Sequence, residues 1–516
     1  MFNAKLFNQN EMINFVFLVA ILIIWSLAFM PVPLGFSLSF NTYFSFAMSE
    51  NLGLNGIVPP LVGYFLYPII WLFGRNEFSV HIASGILMSV ELYAIKLLIE
   101  EIATIKKALI FLYASCVGFV VILTSSIDYS KISEIIALFC ILFFIRLFKY
   151  ERAKYFLYLG MCLGLGLLNK WDILWINIVF FILILALPPR KLILSKSFVF
   201  GLIFAIVIAL PYLISLYQYN ILSLYYYFNY HFNFNLIDIS SKIYDVFKLV
   251  SLWLVPLWII GFFTFLINSK YKKLKSLTYA FLILLLTVLF MEKLELILLP
   301  FIFVFLIGGV CLLVDVCHNR LLKGILVFYV LVSVFLNAIQ VLLYEIPYLY
   351  SYTSKSLMHK LGIKHYSKNL QQHIGGRKLT AYIAEIYDDL PQHEQAKTGI
   401  WASNYMIASP IFYYRAFYDL PNPISPHQNW YQWLDKNESQ KTQFIYIGPE
   451  LMTSTYPSYH QINIHNVFEQ VKYVGKIHVN HAPDYVSQPV WLVQGFKNNH
   501  SLRDNWLSFQ NLSSQK

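Results

Sequence analysis

Phe40–Ser84 reads FNTYFSFAMSENLGLNGIVPPLVGYFLYPIIWLFGRNEFSVHIAS, and its reading decides the fold. It lies between two long apolar runs, Ile13–Phe36 and Phe78–Glu100, so it is expected to be the first loop on the far side of a membrane. It is more aromatic and more amphipathic than a simple connector. Met48–Gly56 is a short polar passage; Pro59-Pro60 then opens Leu61–Phe73, whose bulky residues recur at helical spacing, as in a helix lying in the interface. Proline suits a first helical turn, where its missing N–H costs nothing. The run falls short of the ~20 apolar residues that a perpendicular span needs.

Outward from this segment, apolar runs follow at Ala108–Ser125, Ile132–Phe148, Tyr155–Leu168, Ile173–Leu187, Ser197–Tyr217, Leu249–Ile267, Leu277–Met291, Leu294–Val314 and Ile325–Tyr344. The expected fold is therefore a polytopic α-helical membrane protein with about eleven transmembrane helices. Hydrophobic residues make up 58% of the chain and charged ones 13%, values that exclude an ordinary soluble domain. The formal charge of +11 would by itself suit nucleic acid, but its distribution says otherwise. Lys106-Lys107, Arg146–Lys154, Arg190–Lys196, Lys270–Lys275 and Arg320–Lys323 all fall in loops on one side of the spans. That is the positive-inside pattern, with a cytoplasmic N-terminus and an external C-terminus. No nucleic-acid partner is expected. The first apolar run has no small-residue cleavage site and reads as an anchor. No internal repeat stands out, which argues against a transporter built from paired halves.

The composition changes at Ile346-Pro347, after which the chain is polar and holds ten of the thirteen histidines. Leu379–Asp389 reads as a helix, and Thr398–Trp401, Phe444–Ile447, Val471–Val479 and Val490–Val493 read as strands. The five cysteines lie in or beside the spans, so this part has no disulfide framework available. The expected division is a transmembrane domain over 1–345, with a large outer loop at 37–77, and an outer α/β domain over 346–516.

The order Tyr43-Phe44, Pro59-Pro60-Leu61, Leu72-Phe73-Gly74 and Glu77 before a small-residue helix start resembles the first loop of bacterial GT-C glycosyltransferases. These are relatives of the protein O-mannosyltransferases and the lipid A aminoarabinose transferases. The passage Leu390-Pro391, Ile400–Tyr405, Leu420-Pro421, Ile424-Ser425 and His427–Trp433 resembles their C-terminal domain. There a Leu-Pro turn precedes a strand ending in Asn-Tyr, and a Ser-x-His-x-x-Tyr-x-x-Trp segment follows; Trp430 replaces that tyrosine here, and Leu434 the glycine after the tryptophan. The resemblance implies a GT-C type fold with a periplasmic C-terminal domain, in the bacterial inner membrane. It implies a polyprenyl-phosphate sugar as donor, a glycolipid or other envelope glycan as acceptor, membrane lipid around the spans, and no cofactor. In the family an Asp-Glu pair precedes the paired aromatics. Counted back without gaps from Pro59, that pair falls on Phe40-Asn41, and the basic residue before Pro-Pro is Val58. A catalytically silent relative that binds a polyprenyl lipid, or scaffolds a partner, is the alternative this departure supports.

Sugar transfer from a lipid phosphate needs a carboxylate for the acceptor's proton, cations for the leaving phosphate and aromatic walls for sugar and prenyl chain. Asp128 in SSIDYSK matches the family's second Asp and is the first candidate for the carboxylate; it also suits the cap of the next helix. Lys170 in LNKWDIL matches a family Lys and would hold phosphate, with Asp172 beside it, or the two would form a local interfacial pair. Lys293 is a second phosphate candidate with Glu292 next to it; both would otherwise snorkel. Glu50 is the one acid left in the first half of the loop, a substitute for the missing Asp or part of a solvated face. Tyr43, Pro59 and Pro60 would shape the pocket. The tract Tyr225–His231 would line a groove or form an interfacial aromatic belt. His478 and His481 lack a third ligand nearby, so no metal is expected.

Overall fold

The computed structural model describes residues 61–74, 77–103, 129–219, 239–248, 254–291, 295–316, 367–403, 405–425, 441–453, 461–477 and 488–497, with 324, 328, 329 and 332. The expected spans Ile13–Phe36 and Ala108–Ser125, almost all of Ile325–Tyr344, and the outer loop as far as Pro60 lie outside the described residues. So do Tyr225–His231, His427–Trp433, His478 and His481. The described residues fall into two units. One comprises 81–316 with Leu61 and Val62; the other joins Gly63–Val80 to the residues from 367 onward.

The run after Pro59-Pro60 is a helix, α1 (Leu61–Phe73). Val62 and Leu66 are fully buried, whereas Trp71 and Leu72 at its end are 74% and 65% exposed. Gly74 closes it at a φ of 84°, its N–H donating to the Ile70 carbonyl at 2.8 Å. That left-handed cap is the structural reason for glycine after Leu72-Phe73.

The remaining expected spans within the described residues are helices. They are α2 (Glu77–Ile102), α3 (Tyr129–Tyr150), α4 (Tyr155–Leu167), α5 (Asp172–Ala186) and α6 (Lys196–Tyr219), then, after α7 (Ile239–Lys248), α8 (Val255–Ile267), α9 (Lys275–Phe290) and α10 (Leu299–Val316). Two departures from the sequence reading have clear causes. The expected loop Tyr219–Asp245 ends in α7, whose buried Lys242 donates to the Leu289 carbonyl at 3.1 Å in the last turn of α9. A lysine there meets the partial negative charge of a helix C-terminus. The span expected from Leu294 opens instead with the 3₁₀ turn Glu295–Leu298, and α10 starts at Leu299 with Pro300 in its first turn.

Lys196–Ile214 has a mean hydropathy of 2.5 and Ser269–Phe290 one of 1.7; each is long and apolar enough to cross a membrane alone. Val199, Phe200, Ile206 and Val207 of α6 are all more than half exposed, a continuous apolar surface suited to lipid rather than water. Between helices, small residues permit close approach. A Cβ on Gly160 of α4 would overlap the Gly201 carbonyl of α6, and one on Gly261 of α8 would overlap the Phe305 carbonyl of α10. In lipid, such small-residue contacts replace the hydrophobic effect as the source of helix association. Gly261→Leu is therefore expected to force α8 from α10 and to lower the thermal unfolding temperature in detergent, by overpacking worth about 1–3 kcal/mol or more. Unchanged unfolding would mean the helices do not approach this closely.

The far end of α3 is basic. Glu101 at the end of α2 accepts from Arg146 Nε (2.7 Å), Lys149 Nζ (3.2 Å) and the Tyr150 hydroxyl (2.9 Å). Lys273 Nζ donates to the Lys149 carbonyl at 3.0 Å, which brings the Lys270–Lys275 loop to the same end.

The second unit carries a five-stranded mixed sheet in the order β2-β1-β3-β7-β6, formed by β1 (Thr398–Ala402), β2 (Pro423–Ile424), β3 (Gln443–Ile447), β6 (Phe468–Lys476) and β7 (Pro489–Phe496). β4 (Leu451–Thr453) and β5 (Gln461–Asn463) form a separate antiparallel ribbon. β1 pairs in parallel with β2 and β3; β7 runs antiparallel to β3 and β6. Trp401, Phe444, Tyr446, Phe468 and Val493 fill the core, Trp401 meeting Phe444 edge-on at 5.7 Å. Burial pushes the Tyr446 phenol up, and its hydroxyl donates to the Pro449 carbonyl at 3.1 Å. The helix expected at Leu379–Asp389 begins earlier, as α11 (Ser367–Asp388). The strand expected at Thr398–Trp401 is β1, which stops at Ala402, and Tyr405 opens α12 (Tyr405–Tyr414), the crossover helix between parallel β1 and β2. The strand expected at Val471–Val479 lies earlier, at Phe468–Lys476, because its pairing with β7 runs from Phe468 opposite Phe496 to Lys476 opposite Pro489.

Candidate functional site

Three segments converge at the start of α3. α4 ends at Leu167, and the chain turns through Leu168–Trp171 into α5, with the Leu168 and Lys170 N–H groups donating to the carbonyls of Gly164 (3.0 Å) and Gly166 (2.7 Å). Gly166 lets this turn close, since a Cβ there would overlap the Ile173 side chain. Buried Asn169 donates from Nδ2 to Ser133 Oγ at 2.8 Å and ties the turn to α3. Leu61, the first residue after Pro59-Pro60, donates its N–H to the Leu168 carbonyl at 3.2 Å.

Lys170 and Asp172 form an ion pair across this turn. Asp172 is nearly buried in the first turn of α5, where the partial positive charge of the helix N-terminus favours a carboxylate; Lys170 is 29% exposed. Both line a small, open cleft. Ser133, Glu134 and Ala137 of α3 form one wall; Ile173 and Ile176 of α5, Ile297 of the 3₁₀ turn and Pro300 of α10 form an apolar one.

Behind Glu134 lies a buried ion triad. Lys131 Nζ is 2.5 Å from Glu91 Oε2 of α2 and 3.2 Å from Glu134 Oε2, and Glu91 is fully buried. Each ion withdrawn from water in such a place costs several kcal/mol unless paired. Glu134 is 8% exposed, and among the described residues its Oε1 has no hydrogen-bond partner. The site thus brings a cation, two carboxylates and an apolar surface to one cleft. Such a place can neutralise an anionic head group, accept a proton and cover an apolar chain.

Of the residues singled out in the sequence, the structure brings Lys170 and Asp172 together. Tyr43, Glu50, Pro59, Pro60, Asp128, Glu292 and Lys293 lie outside the described residues. Sequence reasoning passed over Glu91, Lys131 and Glu134. A signal was present: Glu91 interrupts the apolar run SGILMSVELYAIK, and an ionisable residue within a span is a functional-site candidate by default. Lys131 and Glu134 are three residues apart, on one face of a helix.

The profile of the dolichyl-phosphate-mannose-protein mannosyltransferase family matches residues 58–214, the segment that holds Glu91, Lys131, Glu134, Lys170 and Asp172. No curated protein sequence matches the chain significantly. Among solved structures, ArnT from Cupriavidus metallidurans bound to undecaprenyl phosphate is similar with a TM-score of 0.52 and 12% identity, over 80% of this chain and 85% of that one. The same ArnT in its apo state gives 0.53 and 12%, over 93% and 97%. At that identity the likeness is one of fold: a polytopic helical membrane architecture of the GT-C type. The profile match over residues 58–214 and the shared fold make the chain similar to the GT-C superfamily that holds the protein mannosyltransferases and ArnT.

Proposed function

We propose that the chain is a membrane glycosyltransferase that moves a sugar from a polyprenyl-phosphate donor to a glycolipid or glycan of the cell envelope, lipopolysaccharide being one such acceptor. The observation that carries this reading is the cleft itself, which Lys170, Asp172 and Glu134 line together with Ile173, Ile176, Ile297 and Pro300. A lipid phosphate is an anion on an apolar chain, and this wall pattern suits both parts. Lys170, with Lys293, offsets the charge of the departing phosphate. A carboxylate takes the acceptor's proton; Asp128 and Glu50 are the candidates that the sequence offers. Tyr43, Pro59, Pro60, Asp172 and Glu292 shape the pocket. The positive-inside pattern of the basic loops supports a cytoplasmic placement of the far end of α3, and in this reading the cleft and the domain 346–516 belong to the periplasmic side of the inner membrane.

A second reading rests on one specific feature. Phe40-Asn41 stands where the resembling family has its acidic pair, and a chain without that pair would bind polyprenyl phosphate without transferring sugar. A transfer assay with the purified full chain in lipid nanodiscs, offered a panel of labelled polyprenyl-phosphate sugars and envelope glycolipids, separates the two. Transfer from at least one donor is expected. Tight binding of undecaprenyl phosphate with no transfer from any donor would establish the silent relative instead.

A further inference from the structure

We infer that Glu134 is the catalytic carboxylate that takes the acceptor's proton, in place of the acid absent from the first loop; this rests on the sugar-transfer reading above. Three observations converge on it. Glu134 is the one carboxylate of the buried triad that lines the cleft, alongside Lys170 and Asp172. Its Oε2 is held by Lys131 at 3.2 Å, while Oε1, nine-tenths buried, has no hydrogen-bond partner among the described residues. A buried acceptor left without a donor is costly, and a hydroxyl entering the cleft supplies one.

The other carboxylates have different placements. Asp172 is engaged by Lys170 on its own turn. Glu91 interacts with both Lys131 and Glu134 and is fully buried, outside the cleft lining. Lys131, held between Glu91 and Glu134, fixes the orientation of Glu134, which makes Lys131 and Glu91 positioning residues. In the step itself the acceptor's O–H bond breaks, and its proton passes to Glu134 Oε1. The freed oxygen forms a bond to the anomeric carbon. The bond from that carbon to the phosphate oxygen breaks, and its electron pair leaves on the polyprenyl phosphate, whose charge Lys170 offsets. The protonated Glu134 returns its proton to water before the next turnover.

The test uses the full chain in nanodiscs, with the donor that the wild type accepts and undecaprenyl phosphate as the binding probe. Glu134→Gln keeps the shape and the bond to Lys131 but cannot take a proton. It is expected to lower transfer by roughly 10²- to 10⁴-fold while undecaprenyl phosphate binding persists. Glu134→Asp is expected to retain measurable transfer with the acid limb of its pH profile displaced, which a purely structural residue would not do. If Glu134→Gln fails to fold, that pH profile decides alone, and an unmoved limb overturns the proposal. Equal transfer by wild type and Glu134→Gln overturns it with the sugar-transfer reading intact. So does a full loss in Asp128→Asn with Glu134→Gln active, which would assign the role to Asp128. No transfer by the wild type from any donor removes the sugar-transfer reading itself, and this proposal with it.

Discussion

Lys131→Met is expected to destabilise the helical unit by about 3–5 kcal/mol, the cost of removing one partner from a buried ion group. The wild type sets two carboxylates, Glu91 and Glu134, against a single ammonium, and all three side chains are 8% exposed or less. Methionine fills a similar volume, so little of the loss would come from a cavity. The loss would come from leaving the carboxylates with no cation between α2 and α3. Thermal unfolding of the purified protein in detergent, followed by loss of monodisperse material, measures it. Glu91→Gln in the Lys131→Met background removes one of the two carboxyl groups left without the lysine and is expected to recover part of the stability. A Lys131→Met protein that unfolds at the wild-type temperature would show that the triad does not depend on its lysine.

The same triad shows where the sequence was legible and where it was not. The spans could be read because length and hydropathy are local properties: Lys196–Ile214 announces itself with a mean hydropathy of 2.5. Leu61–Phe73 was legible for a similar reason, its buried Val62 and Leu66 recurring at helical spacing after a proline pair. Lys170 and Asp172 are neighbours in the chain, so their pairing needed no knowledge of the fold. Glu91 and Lys131 are forty residues apart, and only the packing of α2 on α3 shows that one answers the other. The second unit follows the same division. β1 and β3 were legible as short runs of β-branched and aromatic residues. The placement of β6 was not, because it is fixed by cross-strand partners such as Tyr473 and Trp491 rather than by its own pattern.

Lys170→Ala is expected to lower kcat/KM for transfer by about 10²- to 10³-fold, the usual cost of one group that stabilises a developing anion, or about 2.7–4 kcal/mol of barrier. The rival account is a local interfacial pair with Asp172, and the two differ in what should follow. A partly exposed ion pair contributes under ~1 kcal/mol to stability, and Asp172 would keep the favourable N-terminus of α5 when its lysine is gone. Thermal unfolding should therefore change little in Lys170→Ala, and the loss should fall on transfer and on undecaprenyl phosphate binding. Asp172→Asn in the same background distinguishes the accounts further. If Lys170 serves only to balance Asp172, the double variant regains wild-type transfer, because neither charge is left unpaired. If Lys170 meets the phosphate, neutralising Asp172 restores nothing, because the cation that offsets the leaving group is still missing. Lys170→Arg keeps the charge on a longer, planar head and is expected to recover part of the activity. Wild-type kcat/KM in Lys170→Ala would remove the phosphate role and leave the cleft without a cation among the described residues that line it.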